Sequence, residues 1–213
     1  RRFSFEFFPP KTDKGWEKLQ GVRNTLAEVD PDFFSVTFGA GGSTRDRTVQ
    51  TVLDLHKRGV STAPHLSCVG ATRDSIAELL DVYRDNGINR IVALRGDMPS
   101  GMGAAGELRY ANELVSFIRE YSGDTFNIEV AAYPEFHPQA RTAEDDLKNF
   151  ARKVEAGANS AITQYFFNAD SYFYFIDRLE KMGVTIPVVP GIMPIINFSN
   201  LTRFSDMCGA EIP

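Results

Sequence analysis

Cysteine is scarce in this chain: Cys68 and Cys208 are the only two among 213 residues. They form no zinc spacing and no disulfide framework, which excludes disulfide-stapled folds and suits a reducing cytosol. Histidine is scarce too, with three residues. His56 sits among helix residues, and His65 and His137 have no close third ligand, so no metal site is expected. No apolar run is long enough to span a bilayer, and no signal-peptide pattern appears. Positive charge is in deficit, with 23 Lys and Arg against 28 Asp and Glu and a formal net charge of −5. That balance disfavours a broad nucleic-acid surface, yet leaves room for an anionic ligand held by a few local cations or helix N-termini. Nucleophile elbow, P-loop and zinc motif are all missing. The chain begins almost inside its first strand and stops at Glu211-Ile212-Pro213, so both ends read as trimmed. What remains is a soluble intracellular chain, 43% hydrophobic, able to bury its core as one globular domain over residues 1–213.

What is present repeats. A strand-then-helix unit recurs about every thirty residues, as expected of successive βα units. The predicted strands are 3–8, 33–38, 62–68, 90–95, 128–133, 160–167 and 187–192. Most are short apolar runs without clean alternation, the pattern of strands covered on both faces. Amphipathic stripes lie between them: Trp16, Leu19, Val22 and Leu26; Val49, Val52, Leu53 and Leu55; Ile76, Leu79, Leu80 and Tyr83; Leu114, Phe117 and Ile118. Ser43-Thr44-Arg45-Asp46 and Thr142-Ala143-Glu144-Asp145 read as capping boxes, and Gly59, Gly87, Gly157 and Gly183 as C-cap glycines. The even spacing favours a (β/α)8 TIM barrel over a doubly wound sheet. Seven strands are readable where a full barrel has eight, so the expectation is a barrel truncated near its C-terminus.

In such a barrel, chemistry gathers at the C-terminal ends of the strands. Polar residues stand at those ends in turn: Glu6; Thr37; His65 and Ser67; Arg95 and Asp97; Tyr133, Glu135 and His137; Gln164, within the sixth strand; then Gly191 and Met193, with Asn197 and Phe198 just beyond. Polar groups set in apolar strands are costly unless paired or functional, and a set recurring at one end indicates a ligand site. Glu6 is the most distinctive. It sits in Phe5-Glu6-Phe7-Phe8, where burial is expected to raise its pKa and make it a proton donor near neutral pH. The plain alternative is a structural Glu paired with a cation. The run Gly101-Met102-Gly103-Ala104-Ala105-Gly106 matches the dinucleotide pattern G-x-G-x-x-G, but Asp97-Met98-Pro99-Ser100 intervene after the strand. Its first glycine therefore cannot make the strand-to-helix turn, and a loop shaping the barrel mouth is the better reading. The aromatic cluster Tyr165-Phe166-Phe167 with Tyr172-Phe173-Tyr174-Phe175 reads mostly as core and helix packing.

Five motifs appear in order: Phe5-Glu6-Phe7-Phe8-Pro9-Pro10, Leu94-Arg95-Gly96-Asp97, Ala132-Tyr133-Pro134-Glu135-Phe136-His137-Pro138, Ile162-Thr163-Gln164-Tyr165-Phe166-Phe167 and Pro190-Gly191-Ile192-Met193-Pro194. Together they resemble the 5,10-methylenetetrahydrofolate reductases of the bacterial single-domain type, over essentially the whole chain. The resemblance implies a flavin-containing barrel in which NADH, or NADPH, reduces FAD and the reduced flavin passes hydride to methylenetetrahydrofolate, giving methyltetrahydrofolate for methionine synthesis. It implies Glu6 as general acid, Asp97 near flavin and pterin, Gln164 hydrogen-bonding folate, and Phe198 as a stacking surface. FAD contacts are implied at Thr37, His65, Arg95, Asp97, Tyr110, Ala111, Tyr133, His137, Asp146 and Lys153. Arg95 and Lys153 suit a pyrophosphate, although Lys153 also reads as an ordinary solvated helix lysine. A cytoplasmic homo-oligomer without nucleic-acid or membrane partners is implied as well. The competing readings are a flavin- or folate-binding barrel that no longer turns over, and a flavin-free barrel lyase or aldolase. The second lacks a strand-end lysine for a Schiff base.

Overall fold

The computed structural model describes residues 2–39, 44–97 and 106–212. Seven strands alternate with seven helices among them: β1 Phe5–Phe7, α1 Asp13–Ala27, β2 Phe34–Val36, α2 Arg45–Lys57, β3 Thr62–Ser67, α3 Arg73–Asp85, β4 Arg90–Leu94, α4 Ala111–Ser122, β5 Asn127–Ala132, α5 Ala143–Glu155, β6 Ser160–Thr163, α6 Ala169–Lys181, β7 Val188–Val189 and α7 Phe198–Cys208. The fold is α/β, with parallel strands in chain order, the repeat of a TIM barrel with seven of its eight strands among the described residues. The chain divides into two compact units, 1–127 and 128–213. Gly101 to Ala105, the core of the glycine-rich run, lie outside the described residues.

In the first unit β1 pairs with β2, β2 with β3, and β3 with β4, all parallel. The register sets Glu6 opposite Ser35, Val36 opposite Pro64, and His65 opposite Val92. β3 is buried along its whole length, its polar Thr62, His65 and Ser67 included, as expected of a strand covered on both faces. α3 and α4 bury the expected stripes, Ile76, Leu79, Leu80 and Tyr83 on one, Leu114, Phe117 and Ile118 on the other. α1 departs from its predicted stripe. Val22 is exposed and Arg23 is buried one turn beyond Leu19, with Arg23 Nη1 donating to Asn24 Oδ1 at 2.7 Å. The long aliphatic stem lets an arginine cover apolar surface where a valine was expected.

In the second unit β5 pairs with β6 and β6 with β7, again parallel. Two predicted strands shorten. The sixth stops at Thr163, so Gln164 and Tyr165 lie beyond it rather than within it, and the seventh keeps two residues. Leu147 and Phe150 of α5 and Phe175 and Leu179 of α6 are buried. Phe173 and Tyr174 are exposed, so half of the aromatic run on α6 faces solvent, contrary to the packing expectation.

Helix ends follow local chemistry. Thr142 caps α5 by accepting from the Asp145 N–H, the N-cap half of the predicted box. The other predicted box, at Ser43–Asp46, rests on Ser43, which lies outside the described residues; the N-cap of α2 is Thr44, which makes no side-chain cap bond. A full capping box appears instead at Thr72 and Ser75 on α3. Glycines 59, 87, 157 and 183 all take positive φ just past a helix, the conformation expected of them.

Candidate active site

The first unit brings Glu6 and His65 together. Both stand on odd-numbered strands, and in barrel-type sheets alternate strands contribute side chains to a common layer, so the two reach each other over β2. His65 Nε2 lies 3.3 Å from Glu6 Oε2, with His65 buried and the Glu6 side chain 49% exposed. The expected buried carboxyl is therefore corrected on two counts. Glu6 is open to solvent on one side because β1 is an edge of three residues whose phenylalanines, Phe5 and Phe7, turn the other way onto Phe34. Its pKa is lowered rather than raised. Burial pushes the carboxyl up, but the contact with the His65 imidazole and the imidazole's charge push it down further. Without substrate, Glu6 is held as a carboxylate.

The remaining first-unit candidates lie at strand ends or the start of a helix. Thr37 follows β2, donating its N–H to Phe7 O and giving its carbonyl to the Thr48 hydroxyl at 2.9 Å. Thr48 was not anticipated, although buried threonines at 48 and 51 on an apolar helix face were a readable signal. Arg95 follows β4, and its Nε donates to the Gly96 carbonyl at 3.2 Å. The Ser67 hydroxyl donates to Arg95 O at 2.8 Å, filling the space a Gly96 side chain would occupy. Asp97 is exposed. Tyr110 is the exposed N-cap of α4 and Ala111 its first residue. Cys68, beside the Arg95 and Tyr110 carbonyls, has its thiol pushed up to about 11 by burial, so it is no nucleophile.

The second unit gathers Tyr133, His137, Asp146 and Lys153. The Tyr133 and His137 rings meet edge to face, 4.5 Å between centroids. The His137 backbone N–H donates to Asp146 Oδ2 at 2.9 Å, and His137 Nδ1 accepts from the Gln139 N–H at 3.0 Å. Lys153 is not a solvated lysine. Its ammonium donates to the Ala131 carbonyl of β5 at 2.5 Å and lies 5.2 Å from the Phe150 ring centroid. Burial pushes it down to about 8, against the upward pull of the Asp146 charge. Gln164 folds its Oε1 onto the Tyr165 N–H at 3.0 Å. Phe198 opens α7 with 65% of its surface exposed. Gly191, past β7, donates its N–H to the Thr163 hydroxyl, and a Cβ there would lie 2.2 Å from the Thr163 carbonyl oxygen. Only glycine permits that approach.

The Asp146–Lys153 pair makes a specific prediction. Asp146→Asn keeps an oxygen that can accept from His137 but removes the charge that holds Lys153 up, so the lysine should titrate below about 8. The folded-state pKa lies below the ordinary 10.5, so the unfolded chain binds more protons between the two values, and stability rises with pH across that window. In the Asn variant the window should extend downward. The 13Cε shift of Lys153 across a pH titration, with urea unfolding at matched pH, measures both.

The family profile of methylenetetrahydrofolate reductase matches residues 1–213. The chain is 46% identical over 211 residues to the 5,10-methylenetetrahydrofolate reductase of Salmonella typhimurium, covering 99% of this chain and 70% of that protein. It is 39% identical over 225 residues to methylenetetrahydrofolate reductase (NADH) 1 of Zea mays, covering 99% of this chain and 38% of the plant protein. Among solved structures, a Clostridium thermocellum protein that binds two copies of 5-methyl-5,6,7,8-tetrahydrofolic acid superposes with a TM-score of 0.67 at 17% identity, over all of this chain and 72% of its own, a likeness of fold. Acid, basic and aromatic strand-end residues thus stand in a sequence matched from end to end, and the chain belongs to the methylenetetrahydrofolate reductase family.

Proposed function

We propose that the protein reduces 5,10-methylenetetrahydrofolate to 5-methyltetrahydrofolate at the expense of NADH or NADPH, in the cytoplasm, as a homo-oligomer built from one catalytic domain per chain. The observation that carries this reading is the Glu6–His65 pair, a carboxylate and an imidazole 3.3 Å apart on neighbouring odd strands of a family member. FAD, when bound, supplies the centre that accepts hydride from the nicotinamide and delivers it to the folate. The donor chemistry of the chain fits such a group. In the first unit Arg95 follows a strand and is partly buried, and in the second Lys153 is turned inward onto a strand-end carbonyl; each is a cation of the kind that can offset phosphate charge. Tyr133 and His137 offer flat ring surface and polar edges, Asp146 an acceptor, and Thr37, Tyr110 and Ala111 strand-end and helix-start backbone.

Glu6 delivers the proton that opens the folate's five-membered ring to an iminium, the species that accepts hydride. Burial is already the largest single influence on Glu6, and half of its side chain is still open. A pterin seated over that half excludes water, strengthens the upward push against His65, and brings the carboxyl into its protonated form as the substrate arrives. Asp97, negative and exposed, balances the cation that ring opening creates. Gln164 turns its amide to the pterin, and Phe198 offers either substrate an apolar face.

The purified protein supplemented with FAD should show flavin absorbance bands that bleach with NADH and recover on adding methylenetetrahydrofolate. Absence of flavin bands overturns the proposal. Bands that bleach and then ignore the folate identify a binding barrel without the second half-reaction.

A further inference from the structure

Helix α7 is fastened to the second unit at both its face and its far end. Leu201, Ser205 and Cys208 lie on one side of it, at the spacing of successive helical turns. Leu201 packs in a core cluster with Tyr165 and Ala210, and the Ser205 and Tyr165 hydroxyls meet at 3.0 Å. Past the helix Gly209 turns left-handed, φ 75°, against Pro138, where an added Cβ would lie 2.8 Å from Pro138 Cγ. Then the Glu211 N–H donates to Glu135 Oε2 at 2.9 Å.

Glu135 belongs to the loop after β5, between Tyr133 and His137. The next residue, Phe136, holds φ at 73°, a left-handed conformation costly for any residue but glycine. It lets adjacent residues serve opposite targets: Glu135 grips the chain beyond α7, while the His137 N–H is gripped by Asp146. The other Glu135 oxygen, Oε1, is buried without a hydrogen-bond partner among the described residues, an expensive placement for a residue that merely fills a loop.

We propose that Glu135 is a positioning residue for the folate site: by anchoring the chain at Glu211 it sets the orientation of α7, and so the place of Phe198 at the helix's other end. An eleven-residue helix is a rod of about 16 Å. A shift at its C-terminus therefore tilts it about the Leu201 and Ser205 contacts and moves its N-terminus as well. The proposal rests on the assignment of Phe198 to the substrate face made above.

The test uses the full-length, flavin-loaded protein, four single variants and one double variant. Glu135→Ala should raise amide hydrogen exchange across residues 198–212 about tenfold, the scale of one lost charge-assisted hydrogen bond. It should raise KM for methylenetetrahydrofolate severalfold and leave kcat for NADH oxidation near the parent value. Glu135→Gln keeps an oxygen acceptor and should restore both readouts. Glu211→Pro removes the same bond from the donor side and serves if the alanine variant fails to fold. The decisive measurement is a double-mutant cycle with Phe198→Ala. If Glu135 acts through Phe198, Glu135→Ala adds little to KM once Phe198 is gone. Fully additive effects, or unchanged exchange in both anchor variants, overturn the proposal. Phe198→Ala without effect on KM overturns the substrate assignment and the positioning role together, whereas a raised KM in Phe198→Ala beside an unchanged one in Glu135→Ala overturns the positioning role alone.

Discussion

Replacing Glu6 by Gln lowers folate reduction by about 10²–10⁴-fold, the range for loss of a positioned general acid, and leaves NADH oxidation close to the parent rate. The asymmetry is the point. Ring opening of the folate needs a proton, and oxidation of the nicotinamide does not. Gln fills the volume of Glu and keeps a polar contact to His65, so packing around β1 is preserved while the titrating proton is lost. Rapid-mixing measurement of each half-reaction separates the two, and equal loss in both would identify Glu6 as a structural partner of His65. His65 adds a second handle. It pulls Glu6 down, so His65→Gln in flavin-saturated enzyme should raise the Glu6 pKa. Activity that needs protonated Glu6 falls as pH rises through that pKa, so the falling limb of kcat/KM for the folate should move to higher pH. A limb that stays in place would mean that another group supplies the proton.

The second large effect is on stability. Gly96→Ala should cost about 2–5 kcal/mol, from overpacking of 1–3 and a left-handed alanine of 1–2. Gly96 has φ 85°, and a Cβ there would fall 1.8 Å from Ser67 Oγ and 3.0 Å from Ser67 Cβ. The hydroxyl cannot swing away without abandoning the Arg95 carbonyl. For a chain of this size the melting temperature should drop by about 5–15 °C in scanning calorimetry. Flavin retention should fall with it, because Arg95 and Asp97 flank the glycine. Ser67→Ala in the same chain removes the closest collision and should recover part of the loss, leaving the left-handed cost and the tight Cβ contact. A Gly96→Ala protein that melts with the parent would show that the β3–β4 strand ends can part freely.

The order of elements was legible because local signals agreed with one another. The stripe at Ile76, Leu79, Leu80 and Tyr83 fixes one face of α3, and the glycines at 59, 87, 157 and 183 stop helices where the next strand must begin. Strand lengths were less legible, because Ile162-Thr163-Gln164-Tyr165 is apolar enough to extend a strand and only the pairing partner decides where it stops. The site was legible as a set of residues and illegible as chemistry. Glu6 and His65 stand 59 positions apart, and nothing local to either announces that one lowers the pKa of the other. Lys153 shows the same limit: helical periodicity places it near a helix end, but its turn onto the Ala131 carbonyl depends on how α5 lies against β5. Glu135 could be seen at a strand end, while its grip on Glu211 crosses 76 positions.

The segment leading into α7 carries Ile192, Ile195, Ile196 and Phe198 at 86%, 61%, 93% and 65% exposure. Its behaviour in salt follows from two effects that point the same way. Sulfate and phosphate strengthen the tendency of such side chains to leave water, and any added salt screens the repulsion between molecules that each carry a net charge of −5. Dilute, weakly ionic buffers should therefore disfavour non-specific association through this segment, and high-sulfate solutions should favour it.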